Sequence, residues 1–192
     1  MSGLADDLAA SPAGLGRLAT GRENWSDAFA LSTPGVYRSF AAPMMVLPLS
    51  VIADDAISQA LGFPPGGTAA AWASALGFAL YTLLYPSAVG VLAHRLGGAA
   101  GFPAFVIALN WMRFWLHVAM AALGLAAMAG LPGPVVASVW IPLAGLSLYL
   151  IWRLARETLT GEFGFSLLVV LLALAAETAS NYAAFLLVRT FG

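Results

Sequence analysis

Two charged residues stand where the chain is otherwise apolar, Arg113 and Glu177. Each has polar neighbours at helical spacing. Asn110, Arg113 and His117 are three and four positions apart and share one helix face. Glu177 and Asn181 are four apart, with Tyr182 one position further round. A guanidinium, a carboxylate, an imidazole and two amides at one level could line a passage for a proton or a polar substrate. They could equally fix the register of two helices by an ion pair and interhelical hydrogen bonds. Both readings stay open at this stage.

Depth is what links the two groups. Arg113 lies 12 residues after Gly101, and Glu177 lies 14 after Phe163. At 1.5 Å per residue these are about 18 and 21 Å, the same level within one helical turn. Opposite charges at one depth in an apolar medium should meet. The spacing therefore predicts a buried cluster of Asn110, Arg113, His117, Glu177 and Asn181, with Trp111 and Trp115 as cation–π cover for the arginine.

Other chemistry finds no support. The chain has no cysteine, so disulfides, thiol catalysis and thiolate metal sites are absent. His94 and His117 are too far apart in sequence for a recognisable ligand pair, and no metal or cofactor is expected. Asp54-Asp55 reads as a solvated helix end or, less simply, a cation site. No phosphate-binding loop, His-Glu-x-x-His or Gly-x-Ser-x-Gly occurs. Gly97-Gly-Ala-Ala-Gly101 has no lysine, and Ser166 lies about 16 Å by helical rise from Glu177, so neither makes an active site. The chain reads as a non-enzyme.

The composition names the medium. Of 192 residues, 61% are hydrophobic and 9% charged, with a mean hydropathy of +0.88. Soluble domains carry about 25% charged residues, so too little charge is present to clothe a water-facing surface. A net charge of −1 without a basic cluster gives nucleic acid nothing to bind. All eight cations are arginine, as in a GC-rich bacterial genome.

A membrane span needs about 20 mostly apolar residues. Five segments qualify: 37–61, 68–92, 102–128, 135–151 and 163–188. Phe63-Pro-Pro-Gly-Gly67, Gly97-Gly98, Leu131-Pro-Gly-Pro134 and Gly161-Glu162 separate them. Such short links make consecutive helices antiparallel neighbours. In the first segment Asp54 and Asp55 are assigned to the far interface, because carboxylates cost far less there than at the midplane. The alternative is a re-entrant element. The expected fold is all-α, a bundle of five transmembrane helices (37–192) preceded by a polar tail (1–36).

Arginine placement orients the bundle. With the N-terminus cytoplasmic, Arg17, Arg22, Arg38, Arg95, Arg153 and Arg156 fall inside and Arg189 outside, which puts the C-terminus in the periplasm of a bacterial inner membrane. No secretory signal is recognisable. Trp72, Trp140 and Trp152 take interfacial positions. In the tail, Trp25, Phe29 and Leu31 could form an interfacial helix, or the tail could pack over the bundle.

Two phrases carry a resemblance. Phe29-Ala-Leu-Ser-Thr-Pro-Gly-Val-Tyr-Arg-Ser-Phe40 leads into the first span, and Ala108-Leu-Asn-Trp111 lies in the third. With five spans and a polar cytoplasmic tail, the chain resembles the Yip (Ypt-interacting protein) family and its bacterial relatives. The resemblance implies a five-helix membrane fold without catalytic residues. The small-GTPase binding of eukaryotic members is not expected of a bacterial chain. The function expected is that of a scaffold or accessory subunit, with membrane lipids and another membrane protein, or a second copy, as partners. The alternative is a small transporter or channel using the Arg113/Glu177 cluster.

Overall fold

The computed structural model describes residues 3–191. They form seven α-helices: α1 (Leu4–Ala19), α2 (Thr33–Ser39), α3 (Ala41–Ala60), α4 (Gly67–Leu96), α5 (Phe102–Met128), α6 (Gly133–Thr158) and α7 (Phe163–Phe191). A 3₁₀ segment, Glu23–Ala28, follows α1, and another, Ala99–Gly101, precedes α5. No strand occurs among the described residues. Five stretches are long and apolar enough to cross a membrane: Thr33–Ala60, Gly67–Leu96, Ala99–Met128, Gly133–Thr158 and Phe163–Thr190.

The first of these is a bent helix, α2 running into α3. Ser32 starts it by accepting from the Gly35 N–H at 3.2 Å, with Pro34 in the first turn. The bend at Phe40 follows from Pro43, which cannot donate to the Ser39 carbonyl. Asp54 and Asp55 lie in the last turns of α3 and are exposed, as a helix end requires. Asp55 accepts from Gln59 at 2.6 Å and from the Gly66 N–H at 3.2 Å, which ties the α3–α4 connection. At the other end of α4, Gly97 stops the helix in the left-handed region, with φ 84°.

Three of the four consecutive pairs, α3–α4, α5–α6 and α6–α7, pack as the neighbours expected, and α4–α5 departs from that order. α3 packs most closely on α5, and α4 on α7; α4 and α5 barely touch through their backbones. Asn110 meets Ser39, and Gly124 meets Ala53, with equal spacing along both helices, so α3 and α5 run parallel. Gly124 permits that approach, since a Cβ there would lie 2.6 Å from the Ala53 Cα. On the other pair, Gly77 of α4 receives the Asn181 side chain of α7. α6 bridges α5 and α7. The larger core joins Tyr85, Phe105, Leu109, Trp111, Leu154 and Val169; a smaller one holds Ala53, Ile57, Ala121, Leu123 and Val136.

α1 was not legible as a helix, yet it folds over α5 and α6. Asp6 and Asp7 in its first turn and Arg17 in its last suit the helix dipole, and Asp6 accepts from the Gly3 N–H at 2.8 Å. Pro12 leaves the Leu8 carbonyl without its helical donor, and the Ser11 hydroxyl supplies one at 3.1 Å. Trp115 of α5 donates to that same hydroxyl at 2.9 Å, and Tyr149 of α6 to the Ala19 carbonyl at 3.0 Å. Arg38 and Asp7 form an ion pair at 3.2 Å. Trp25 and Phe29 are buried in the larger core, whereas Leu31 is exposed. The tail therefore packs over the bundle, the second of the two readings, with Trp25 and Phe29 turned into the protein and Leu31 exposed.

Candidate functional site

Arg113 lies in the middle of α5 and is 4% exposed. Its neighbours come from α4. Nη1 donates to the Thr82 hydroxyl at 2.9 Å, and Cζ sits 4.4 Å from the Tyr81 ring centre and 4.8 Å from that of Phe78. Phe78, Tyr81 and Thr82 are three and four positions apart, so one flank of α4 presents all three. The Thr82 hydroxyl donates in turn to the Phe78 carbonyl at 2.8 Å, leaving its lone pairs to the guanidinium. Ring faces are electronegative and hold a cation without adding a second charge. Nε of Arg113 has no hydrogen-bond partner.

The other α5 residues of the predicted cluster divide. His117 Nδ1 lies 2.7 Å from the Arg113 carbonyl. A carbonyl only accepts, so Nδ1 carries a hydrogen and donates it. The imidazole also meets the Phe78 ring edge-on, with centres 4.9 Å apart. Asn110 faces the opposite way. It is fully buried and donates to the Ser39 hydroxyl at 3.0 Å, which donates to the Val36 carbonyl at 2.7 Å. Its own Oδ1 is unpartnered.

The expected ion pair between Arg113 and Glu177 is not made. Among the described residues the ion pairs are Arg38–Asp7 and Arg153–Glu157, at 3.2 and 3.1 Å. Glu177 is exposed and stands beyond ion-pair distance of Arg113. Asn181 is held against Gly77 and makes no hydrogen bond with Arg113. The physical reason is helix order: α7 packs on α4, and the rings of α4 take the place beside Arg113 that a carboxylate was expected to fill. Those rings are also the aromatic cover expected of Trp111 and Trp115. Trp111 instead packs edge-on against Phe114, and Phe114 against Trp115. The signal that could have shown this is the Phe78/Tyr81/Thr82 stripe itself.

Two cavities flank this centre. One, about 660 Å³, lies between the last turns of α3 and the first of α4 and has Asp54 and Asp55 in its wall. The other, about 540 Å³, lies between α2, the last turns of α4 and the start of α5, with His94 and Arg95 in its wall. Among the described residues no group of three or more histidine or carboxylate side chains is placed to hold a metal ion. Comparisons with protein-family models, curated proteins and solved structures found no match.

Proposed function

We propose that the chain is a multi-pass protein of the bacterial inner membrane, N-terminus cytoplasmic and C-terminus periplasmic, that acts as a non-enzymatic scaffold or accessory subunit. The observation that carries this reading is the enclosure of Arg113. The guanidinium joins two helix pairs, α3 with α5 and α4 with α7, across α4 and α5, whose backbones otherwise barely touch. A charge sealed by two rings and a hydroxyl braces a bundle; it does not line an open passage. The least covered span is α6, whose exposed Val139, Ile141 and Leu146 leave a flank for lipid or a partner helix. Arginine placement supports the orientation.

The Yip-like phrases support the kinship in a further way. They meet in space, since Asn110 of the second donates to Ser39 of the first. The test is affinity purification in mild detergent with native mass spectrometry of the intact particle. A second protein, or a second copy, in fixed ratio is the expected result; a lone monomer would overturn the reading.

The transporter alternative has its own support. Arg113 Nε is unpartnered, and Glu177 is exposed although it stands at mid-span. Reconstituted vesicles separate the two. A scaffold shows no flux that depends on Arg113. A transporter loses its flux in Arg113→Met while staying folded.

A further inference from the structure

We propose that the cavity between α2, α4 and α5 binds one acyl chain of an anionic glycerophospholipid, with the phosphate held at Arg95. The proposal rests on the membrane reading above and names one lipid partner for it. Val36, Phe40, Leu83, Val91, Phe102 and Val106 give the cavity apolar walls. Its polar end is set by His94 and Arg95 in the last turn of α4. Among the described residues no carboxylate lines it, and Arg95 has no ion-pair partner. An apolar slot with a cation at one end is complementary to a phosphate carrying a hydrocarbon tail.

Dimensions favour a lipid over a peptide. From Leu83 to Arg95, α4 rises about 18 Å, comparable to the roughly 15 Å of hydrocarbon in one leaflet. Arg95 then stands at headgroup level and Leu83 near the midplane. A helix about 10 Å wide and as long as the slot would fill roughly 1,400 Å³, against the 540 Å³ present. The cavity at the other end makes a natural contrast, because Asp54 and Asp55 in its wall would repel the same phosphate.

The experiment uses the full chain in mild detergent and native mass spectrometry titrations. The probes are phosphatidylglycerol and phosphatidylcholine with identical acyl chains, and glycerol phosphate without any. Phosphatidylglycerol is expected to bind more tightly than phosphatidylcholine, and glycerol phosphate not to bind. Arg95→Gln, a change at an exposed side chain, should weaken phosphatidylglycerol about fivefold, the worth of one basic residue at an anionic headgroup, and leave phosphatidylcholine unchanged. Ser87→Trp, and separately Val91→Trp, should fill the slot and weaken both lipids. The proposal is overturned if Arg95→Gln leaves phosphatidylglycerol binding unaltered, if neither tryptophan weakens either lipid, or if glycerol phosphate displaces phosphatidylglycerol. Partner capture tests the scaffold reading separately: a captured partner with unchanged lipid binding in these variants would sink this proposal alone.

Discussion

Arg38 and Arg113 are both drawn into the fold, and each is neutralised by different means. Arg38, near the start of the first span, keeps a side chain 27% exposed and reaches Asp7 of α1 at 3.2 Å. Arg113, at mid-span, has no carboxylate within ion-pair distance and rests between Phe78, Tyr81 and Thr82. Water can share the solvation of the first pair, so a second charge there costs little. At mid-span a paired carboxylate would be a second ion to desolvate, and that cost can exceed the attraction gained. Rings and a hydroxyl take the cation without it. The lesson is that depth selects the partner: carboxylate near the interface, π-face and hydroxyl in the middle.

Several substitutions would break or sharpen that contrast. The largest effect is expected from Arg113→Glu, which sets a carboxylate against two electronegative ring faces. It should cost about 3 kcal/mol or more, read as thermal unfolding in detergent. The swap Arg113→Glu with Glu177→Arg should not restore stability; restoration would mean that the two residues pair after all. Next comes Tyr81→Leu. A double-mutant cycle with Arg113→Met should give a coupling of about 1–2 kcal/mol, as for a desolvated cation–π contact. A coupling near zero would remove the rings from the account.

The third effect is smaller. A cycle of Asp7→Asn with Arg38→Gln should give about 0.5–1 kcal/mol, shrinking as salt rises. The same changes should hasten protease cleavage within α1. Salt-independent coupling would place this pair with Arg113 rather than in contrast to it. Last, Glu177→Gln should raise stability rather than lower it, since it removes a charge that is exposed at mid-span without an ion pair, where the surrounding medium is apolar.

Features written locally in the sequence proved readable there. Segments 68–92 and 102–128 fall on α4 and α5 because glycine and proline end helices through their own backbone preferences, as Gly97 does. Segment 135–151 stops short of α6, which runs to Thr158. Apolarity fades at Arg153, but the helix continues, with Arg153 and Glu157 paired one turn apart. The depth of Arg113 was legible because rise accumulates along one helix. Its partners were not, because which helix stands beside α5 depends on tertiary packing. α1 escaped notice for the same reason: it has no apolar run and contains Pro12, and it is held by Trp115, Tyr149 and Arg38 from elsewhere in the chain.

The absence of cysteine from the chain permits the most direct test of the five-span account. Single cysteines at the exposed positions Ala13, Gln59, Glu162 and Thr190 would be labelled with a membrane-impermeant maleimide from each side of the membrane. With five spans, Ala13→Cys and Glu162→Cys should react only from the cytoplasmic side, and Gln59→Cys and Thr190→Cys only from the periplasmic side. Reaction of Ala13→Cys and Thr190→Cys from the same side would mean an even number of crossings and would contradict five spans.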